Sequence, residues 1–221
     1  FLRERRDSGA AAKVIGITGT NGKSTTTALT AHLLRSAGRR VAMGGNIGDA
    51  VLGLQPFEAT DVYVIELSSY QIDLTPTLEL DAGIMLNLSP DHLDRHGDLA
   101  HYAWVKERIL ATAATGVVGL DDPWSRAMAL RRASSGLATI GIEVLDDPTK
   151  RESESAASER EAFRRAGGKI WRTRAGGTVE TPAGDLASLG AIATLRGAHN
   201  AQNAAAALAA CLAIGADRNR L

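Results

Sequence analysis

The stretch Ile15-Gly16-Ile17-Thr18-Gly19-Thr20-Asn21-Gly22-Lys23-Ser24-Thr25 constrains this chain more than any other. It reads as a buried strand, a glycine-rich turn and a helix start, with β-branched residues before the turn and Leu29, Leu33 and Leu34 at helical spacing after it. Gly38 then predicts the helix stop. Backbone N–H groups in such a turn converge on one point, and the helix macrodipole adds partial positive charge there. Lys23 supplies a full charge, and the Ser24 hydroxyl can ligate magnesium. The ligand that suits this arrangement is a nucleoside triphosphate. The spacing departs from the general phosphate-loop motif, because Ile17 occupies the place of the first glycine.

The remaining pattern predicts an α/β fold with a mostly parallel sheet flanked by helices. Strands are expected at Val14–Ile17, Arg40–Met43, Asp61–Leu67, Asp81–Leu88, Thr115–Leu120 and Leu137–Val144, and helices at Leu99–Ala113 and Pro123–Ala133. The run Arg151–Arg160, rich in Ser and Glu, reads as a solvated loop. Beyond it, Lys169–Arg172, Thr178–Thr181 and Ala191–Leu195 read as a small antiparallel β addition, with turns at Gly176-Gly177 and Ala183-Gly184. An Ala/Leu helix closes the chain.

Composition narrows the function classes. The 221 residues carry a formal net charge of zero, without the basic footprint of a general nucleic-acid binder. One cysteine, Cys211, excludes an internal disulfide and a cysteine-rich zinc site. No apolar run is long enough to span a bilayer and no signal peptide is recognisable, so neither nucleic acid nor membrane is expected as a partner, and the default location is cytoplasmic. The opening Phe1-Leu2-Arg3-Glu4-Arg5-Arg6 and the closing Asp217-Arg218-Asn219-Arg220-Leu221 read as connectors, which suggests a piece of a longer protein.

Several polar residues fall at the C-terminal ends of predicted parallel strands, where open α/β sheets bind ligands. Glu66 ends an otherwise apolar strand and needs a partner there, either a salt bridge or cap, or a magnesium ion shared with Ser24. Asp91, His92 and Asp94 cluster in the loop after the fourth strand. His199, Asn200 and Asn203 open the last helix, with Asn203 expected in its first turn. A helix cap explains Asn200, and amides there can also read an adenine edge. Lys106, in mid-helix, reads by composition as a surface lysine.

Five motifs in order resemble the Mur ligases, the ATP-dependent amino-acid ligases of peptidoglycan synthesis. They are Thr18–Ser24, Gly44-Gly45-Asn46-Ile47-Gly48, Glu66-Leu67-Ser68-Ser69-Tyr70-Gln71, Asn87–Asp94 and Gly197–Asn203. The second and third look most like the D-glutamate-adding branch. The family has three domains, and the resemblance implies that this chain is the central ATPase domain at residues 13–215. Residues 1–12 would then be a linker from a missing domain, and 216–221 the start of another. It implies that Gly19, Thr20, Asn21, Gly22, Lys23, Ser24 and Thr25 hold the phosphates of ATP. Ser24 and Glu66 would sit on a first Mg2+, and His92 on a second with Lys106, the lysine this family carbamylates. Asn46, Ser68 and Gln71 match positions near a UDP-sugar substrate, and Asn200 and Asn203 the adenine side. The implied substrates are UDP-N-acetylmuramoyl-L-alanine and D-glutamate, and a monomer is expected. Two alternatives stay open: another Mur ligase or a folylpolyglutamate synthase-like ligase, which keeps the ATP chemistry and changes the acceptor, and a nucleotide-binding module without catalysis.

Overall fold

A computed structural model describes residues 11–54, 60–145, 153–188 and 197–221, together with positions 4, 7 and 9. Its nine-stranded sheet has the order β2-β3-β1-β4-β5-β6-β7-β8-β9. The strands are β1 (Lys13–Thr18), β2 (Val41–Gly45), β3 (Val62–Glu66), β4 (Leu80–Met85), β5 (Ala113–Gly119), β6 (Thr139–Val144), β7 (Lys169–Thr173), β8 (Thr178–Thr181) and β9 (Gly184–Ser188). The helices are α1 (Lys23–Ser36), α2 (Ser69–Asp73), α3 (Leu93–His96), α4 (Leu99–Ala111), α5 (Pro123–Ser134), α6 (Glu154–Arg165) and α7 (Ala198–Ala213).

Every pairing from β2 to β7 is parallel, so the apolar strands must be covered on both faces. One core layer joins Ile15, Ile17, Val64, Ile84, Val117 and Ile142 to Leu34 of α1 and to α7. The other joins Val14, Tyr63, Ile65, Met85 and Val118 to Val105 and Ile109 of α4, Met128 of α5 and Phe163 of α6. In α7, residues Ala201 to Cys211 are all buried. Its alanine-rich sequence lets that helix lie close against both the sheet and α1. Arg132 is buried without an acidic partner; its guanidinium caps the end of α4 through the carbonyls of Leu110 and Ala113.

The structure corrects the sequence reading in two places. Residues 154–165, within and beyond the expected solvated loop, form α6. Ser153 caps that helix by accepting from Ala156 N, Glu154 sits in its first turn and Arg164 and Arg165 in its last. Only Ala156 and Phe163 anchor it to the core, so its apolar stripe is too sparse to stand out among the charges. Second, Gly184 opens β9 rather than completing a turn. The expected small antiparallel part is present as β7, β8 and β9, and β7 also pairs parallel to β6, which joins that part to the main sheet. The expected strand at Ala191–Leu195 lies outside the described residues, as do 151–152 and most of the expected 1–12 linker. No described helix is long and apolar enough to cross a membrane.

Candidate functional site

The loop between β1 and α1 is built to receive an anion. Gly22 has φ 83°, and a Cβ there would stand 2.5 Å from Oδ1 of Asn203. Glycine is therefore required both by the backbone conformation and by the approach of α7. No side chain caps α1, and the first backbone N–H bonded within it is that of Thr26, to Gly22 O. The first-turn N–H groups of Lys23, Ser24 and Thr25 are thus the helix's orphan donors, with the macrodipole behind them. The neighbouring loop after β4 fixes the turn's shape. Thr20 N donates to Asn87 O at 2.9 Å and Asn21 N to Asn87 Oδ1 at 2.9 Å, while Asn87 Nδ2 donates to Asn21 O at 3.1 Å.

Two ammonium groups meet at one carbonyl of this loop. Lys23 Nζ donates to Gly19 O at 3.0 Å and Thr20 O at 2.8 Å. Lys106 Nζ donates to the same Gly19 O at 2.9 Å and to Thr18 Oγ1 at 3.1 Å. Lys106 is not a surface lysine: it is 1% exposed, and its Nζ lies 4.9 Å from the centroid of the Tyr102 ring. Burial, reinforced by the charge of Lys23, lowers its pKa to about 7, with Asp91 and Glu66 opposing the shift. Composition cannot show this, because the burial comes from α4 packing over the end of β1. Tyr102, one helical turn before Lys106, is 1% exposed, and its burial raises its pKa.

Glu66, the last residue of β3, is 1% exposed. Its Oε2 accepts from Ser24 Oγ at 2.9 Å and its Oε1 from Asn46 Nδ2 at 3.0 Å. The expected alternative of a salt bridge or helix cap is not what the fold supplies; the partners are a neutral hydroxyl and a neutral amide. Adjacent ligands of an octahedral magnesium, each at about 2.1 Å, stand about 3 Å apart. The Ser24–Glu66 pair fits that ion, with remaining positions left to phosphate oxygens and water. Among the described residues no group of three or more His, Cys, Asp or Glu is placed to hold a metal. Magnesium, which takes few protein ligands, is the ion that needs no such cluster.

A cavity of about 420 Å³ opens beside the loop, lined by Lys23, Asn46, Ser68, Ser69, Tyr70, Gln71, His92, Tyr102 and Lys106. His92 is exposed and carries the one positive φ, 51°, of a described non-glycine residue. Its backbone N donates to Asp91 Oδ1 at 2.9 Å, and its ring meets the edge of Tyr70 at 5.3 Å between centroids. Ser68 and Gln71 form a capping box on α2, so both have a local structural task as well as a place on the cavity wall. Asp94 and His199 are exposed and do not line the cavity.

The last helix differs from expectation in detail. Gly197 is the residue that precedes α7, no side chain caps it, and Asn203 falls in its second turn. Asn203 is 3% exposed, and its Nδ2 lies 3.5 Å from Asn200 Oδ1. Asn203 thus borders the glycine loop from the α7 side, at Gly22. Sequence reasoning gave no role to Tyr102, Asn87 or Ser69. The spacing of Tyr102 and Lys106 on one helical face was the available signal for the first; the other two act through contacts between distant segments.

Comparison with known proteins agrees with this geometry. The Mur ligase middle domain matches residues 17–211. The UDP-N-acetylmuramoylalanine–D-glutamate ligase of Agrobacterium fabrum is 51% identical over 221 residues, covering 100% of this chain and 44% of that protein. The proteins of the same name from Nitrobacter hamburgensis and Brucella abortus are 50% and 46% identical, over 100% and 97% of this chain. The chain thus spans less than half the length of the curated relatives it matches. A solved UDP-N-acetylmuramoyl-L-alanyl-D-glutamate–2,6-diaminopimelate ligase superposes with a TM-score of 0.69 at 20% identity, over 99% of this chain and 47% of that one. An Acinetobacter baumannii UDP-N-acetylmuramoylalanyl-D-glutamyl-2,6-diaminopimelate–D-alanyl-D-alanyl ligase does so with 0.65 at 20%, over 98% and 46%. At that identity the two structures speak for the fold alone. Matched across most of its length, with its glycine turn, buried lysine and strand-end glutamate gathered at one edge of the sheet, the chain belongs to the Mur ligase middle-domain family.

Proposed function

We propose that residues 13–215 are the ATP-binding unit of an ADP-forming ligase that joins D-glutamate to UDP-N-acetylmuramoyl-L-alanine in the cytoplasm, as a step of peptidoglycan synthesis. The observation that carries this reading is the convergence of Lys23, Lys106 and the Ser24–Glu66 pair on the single loop at Gly19–Gly22. The acceptor is suggested by relatives of that name at about half identity over the whole chain.

In this reading the open N–H groups of Lys23, Ser24 and Thr25 and the Lys23 ammonium cradle the triphosphate. A carboxylate oxygen of the L-alanyl group attacks the γ-phosphorus and ADP leaves, giving an acyl phosphate. Lys23 leaves its parking place on the Gly19 and Thr20 carbonyls to neutralise charge on the transferred phosphoryl group. The D-glutamate amine then attacks the acyl carbon, and phosphate departs as the amide forms. Ser24 and Glu66 would hold a magnesium ion, which supplies Lewis-acid neutralisation of phosphate charge. Lys106, with a pKa near 7, keeps an appreciable neutral fraction, as carbamylation by carbon dioxide requires. As a carbamate it would become an anion beside His92, suited to a second Mg2+. Asn46, Ser68 and Gln71 would face the nucleotide sugar from the cavity wall, and Asn200 and Asn203 the adenine.

The decisive experiment assays the full-length protein with UDP-N-acetylmuramoyl-L-alanine against a panel of amino acids, following ADP. D-glutamate should stand out from the panel by at least tenfold in kcat/KM. A preference for another amino acid, or for a folate acceptor, overturns the assignment while leaving the ATP chemistry. The isolated 221-residue chain should bind Mg–ATP weakly and show little D-glutamate-dependent phosphate release.

A further inference from the structure

Behind the cavity wall lies a histidine that neither the motifs nor the proposed chemistry uses. His96, the last residue of α3, is 5% exposed. Its Nε2 is 3.0 Å from Ser69 Oγ, and Ser69, itself 1% exposed, lines the cavity. Its Nδ1 is buried without a hydrogen-bond partner among the described residues. The ring is wedged among Tyr102 at 5.2 Å, His101 at 5.7 Å and Tyr70 at 5.8 Å between centroids. Its backbone N also bonds His92 O at 3.1 Å, which ties the ring to the loop that carries His92.

We propose that His96 is a positioning residue: its Nε2–H donates to Ser69 Oγ, which turns the Ser69 proton into the cavity to meet an anionic oxygen of the carboxylate-bearing substrate. The proposal rests on the ligase reading above. Only one tautomer serves this purpose. With the proton on Nδ1, Ser69 would have to spend its own hydrogen on Nε2, and a buried N–H would be left without an acceptor, the rarer and costlier orphan. With the proton on Nε2 the orphan is only a lone pair, and the serine proton is free. A buried Nδ1 with no acceptor also disfavours a second proton on the ring, so the neutral form can hold one tautomer. The packing against Tyr70 and Tyr102, both on the cavity wall, fixes the direction in which Nε2 points.

The test uses the full-length protein and compares wild type, His96→Leu, His96→Gln, Ser69→Ala and the double variant His96→Leu/Ser69→Ala. Glutamine places an amide N–H where Nε2–H stood; leucine keeps bulk and removes the donor. One lost hydrogen bond to a charged group predicts about a tenfold rise in KM for the nucleotide sugar in His96→Leu, with KM for ATP within about twofold. His96→Gln should recover most of the loss, and the double variant should be no worse than Ser69→Ala alone. Additive losses in the double variant, an equal rise in KM for ATP, or an unchanged KM for the nucleotide sugar in His96→Leu would overturn the proposal. A second measurement needs no turnover: long-range ¹H–¹⁵N spectra of histidine-labelled wild type, assigned through His96→Gln, should show the neutral Nε2–H form. The Nδ1–H form would overturn the positioning role. If wild type fails to use the nucleotide sugar at all, the ligase reading falls, and the spectra still decide the tautomer.

Discussion

The two ends of the sheet treat buried charge in opposite ways. At the far end, Glu143 of β6, with a side chain 7% exposed, is met by two guanidinium groups, Arg160 Nε at 3.0 Å and Arg172 Nε at 2.9 Å. At the other end, Lys106 meets a carbonyl, a hydroxyl and the Tyr102 ring, and Glu66 a hydroxyl and an amide, all neutral groups. A buried charge is tolerated when paired and costly when it is not. The β6–β7–α6 end therefore spends its charges on stability. The β1–β3–β4 end holds cation and anion apart, each satisfied only by neutral groups, and keeps its electrostatic field for a ligand. A perturbed lysine in a cavity is the usual signature of that second arrangement.

The comparison is tested most severely at Lys23. Lys23→Ala in the full-length protein should lower ADP formation by about a thousandfold, since in the proposed reaction it deletes the charge that neutralises the transferred phosphoryl group. Activity retained within tenfold would show that the loop is not a phosphate cradle.

Lys106 tests the same end through stability as well as turnover. Its folded pKa, about 7, lies below the ordinary lysine value of 10.5. Between those values the unfolded chain binds more protons than the folded one, so stability from this group is complete above about pH 10.5 and is lost as pH falls toward 7. Urea denaturation of wild type and Lys106→Met should therefore show wild type gaining on the variant between pH 7 and 10, by an amount on the order of a few kcal/mol. A constant difference across that range would mean that the lysine is not desolvated. Lys106→Ala should also cost activity in the full-length protein, with partial rescue by short carboxylates standing in for a carbamate.

Gly22→Ala is expected to act more moderately. It combines a φ of 83° with a Cβ 2.5 Å from Asn203 Oδ1, and should cost about 1–3 kcal/mol and weaken nucleotide binding. Adding Asn203→Ala, which opens space, should return part of the stability. If the double variant is no better than Gly22→Ala, the strain is purely in the backbone.

The smallest effect belongs to the paired end. Arg172 is 45% exposed and shares Glu143 with Arg160, so Arg172→Ala should cost no more than about 1 kcal/mol in chemical denaturation and leave activity unchanged. A loss as large as that at Lys106 would erase the distinction between the two ends.

Most strand positions were legible because parallel strands buried on both faces appear as unbroken apolar runs, as in Val62–Glu66 and its neighbours. The glycine loop between β1 and α1 was legible because its signals are local: glycine turn, lysine, serine and helix start lie within one short segment. α6 escaped notice because two buried side chains, Ala156 and Phe163, carry its attachment, and the rest of its support comes from its cap and from ion pairs such as Arg126–Glu159. The parallel pairing of β7 with β6, beside its antiparallel pairing with β8, was not legible because strand direction depends on the partner and leaves no trace in a five-residue segment.

The sequence by itself determined the layered α/β architecture, the anion-binding turn and the acid at the end of β3, since each follows from residue type and short-range period. Only the tertiary structure decided that Lys106 is buried, that it shares the Gly19 carbonyl with Lys23, and that His96 stands behind Ser69. Lys106 and Gly19 are 87 residues apart in the chain, and Ser69 and His96 are 27 apart. Desolvation and hydrogen-bond direction are properties of what surrounds a group, and those surroundings exist only after the segments have packed.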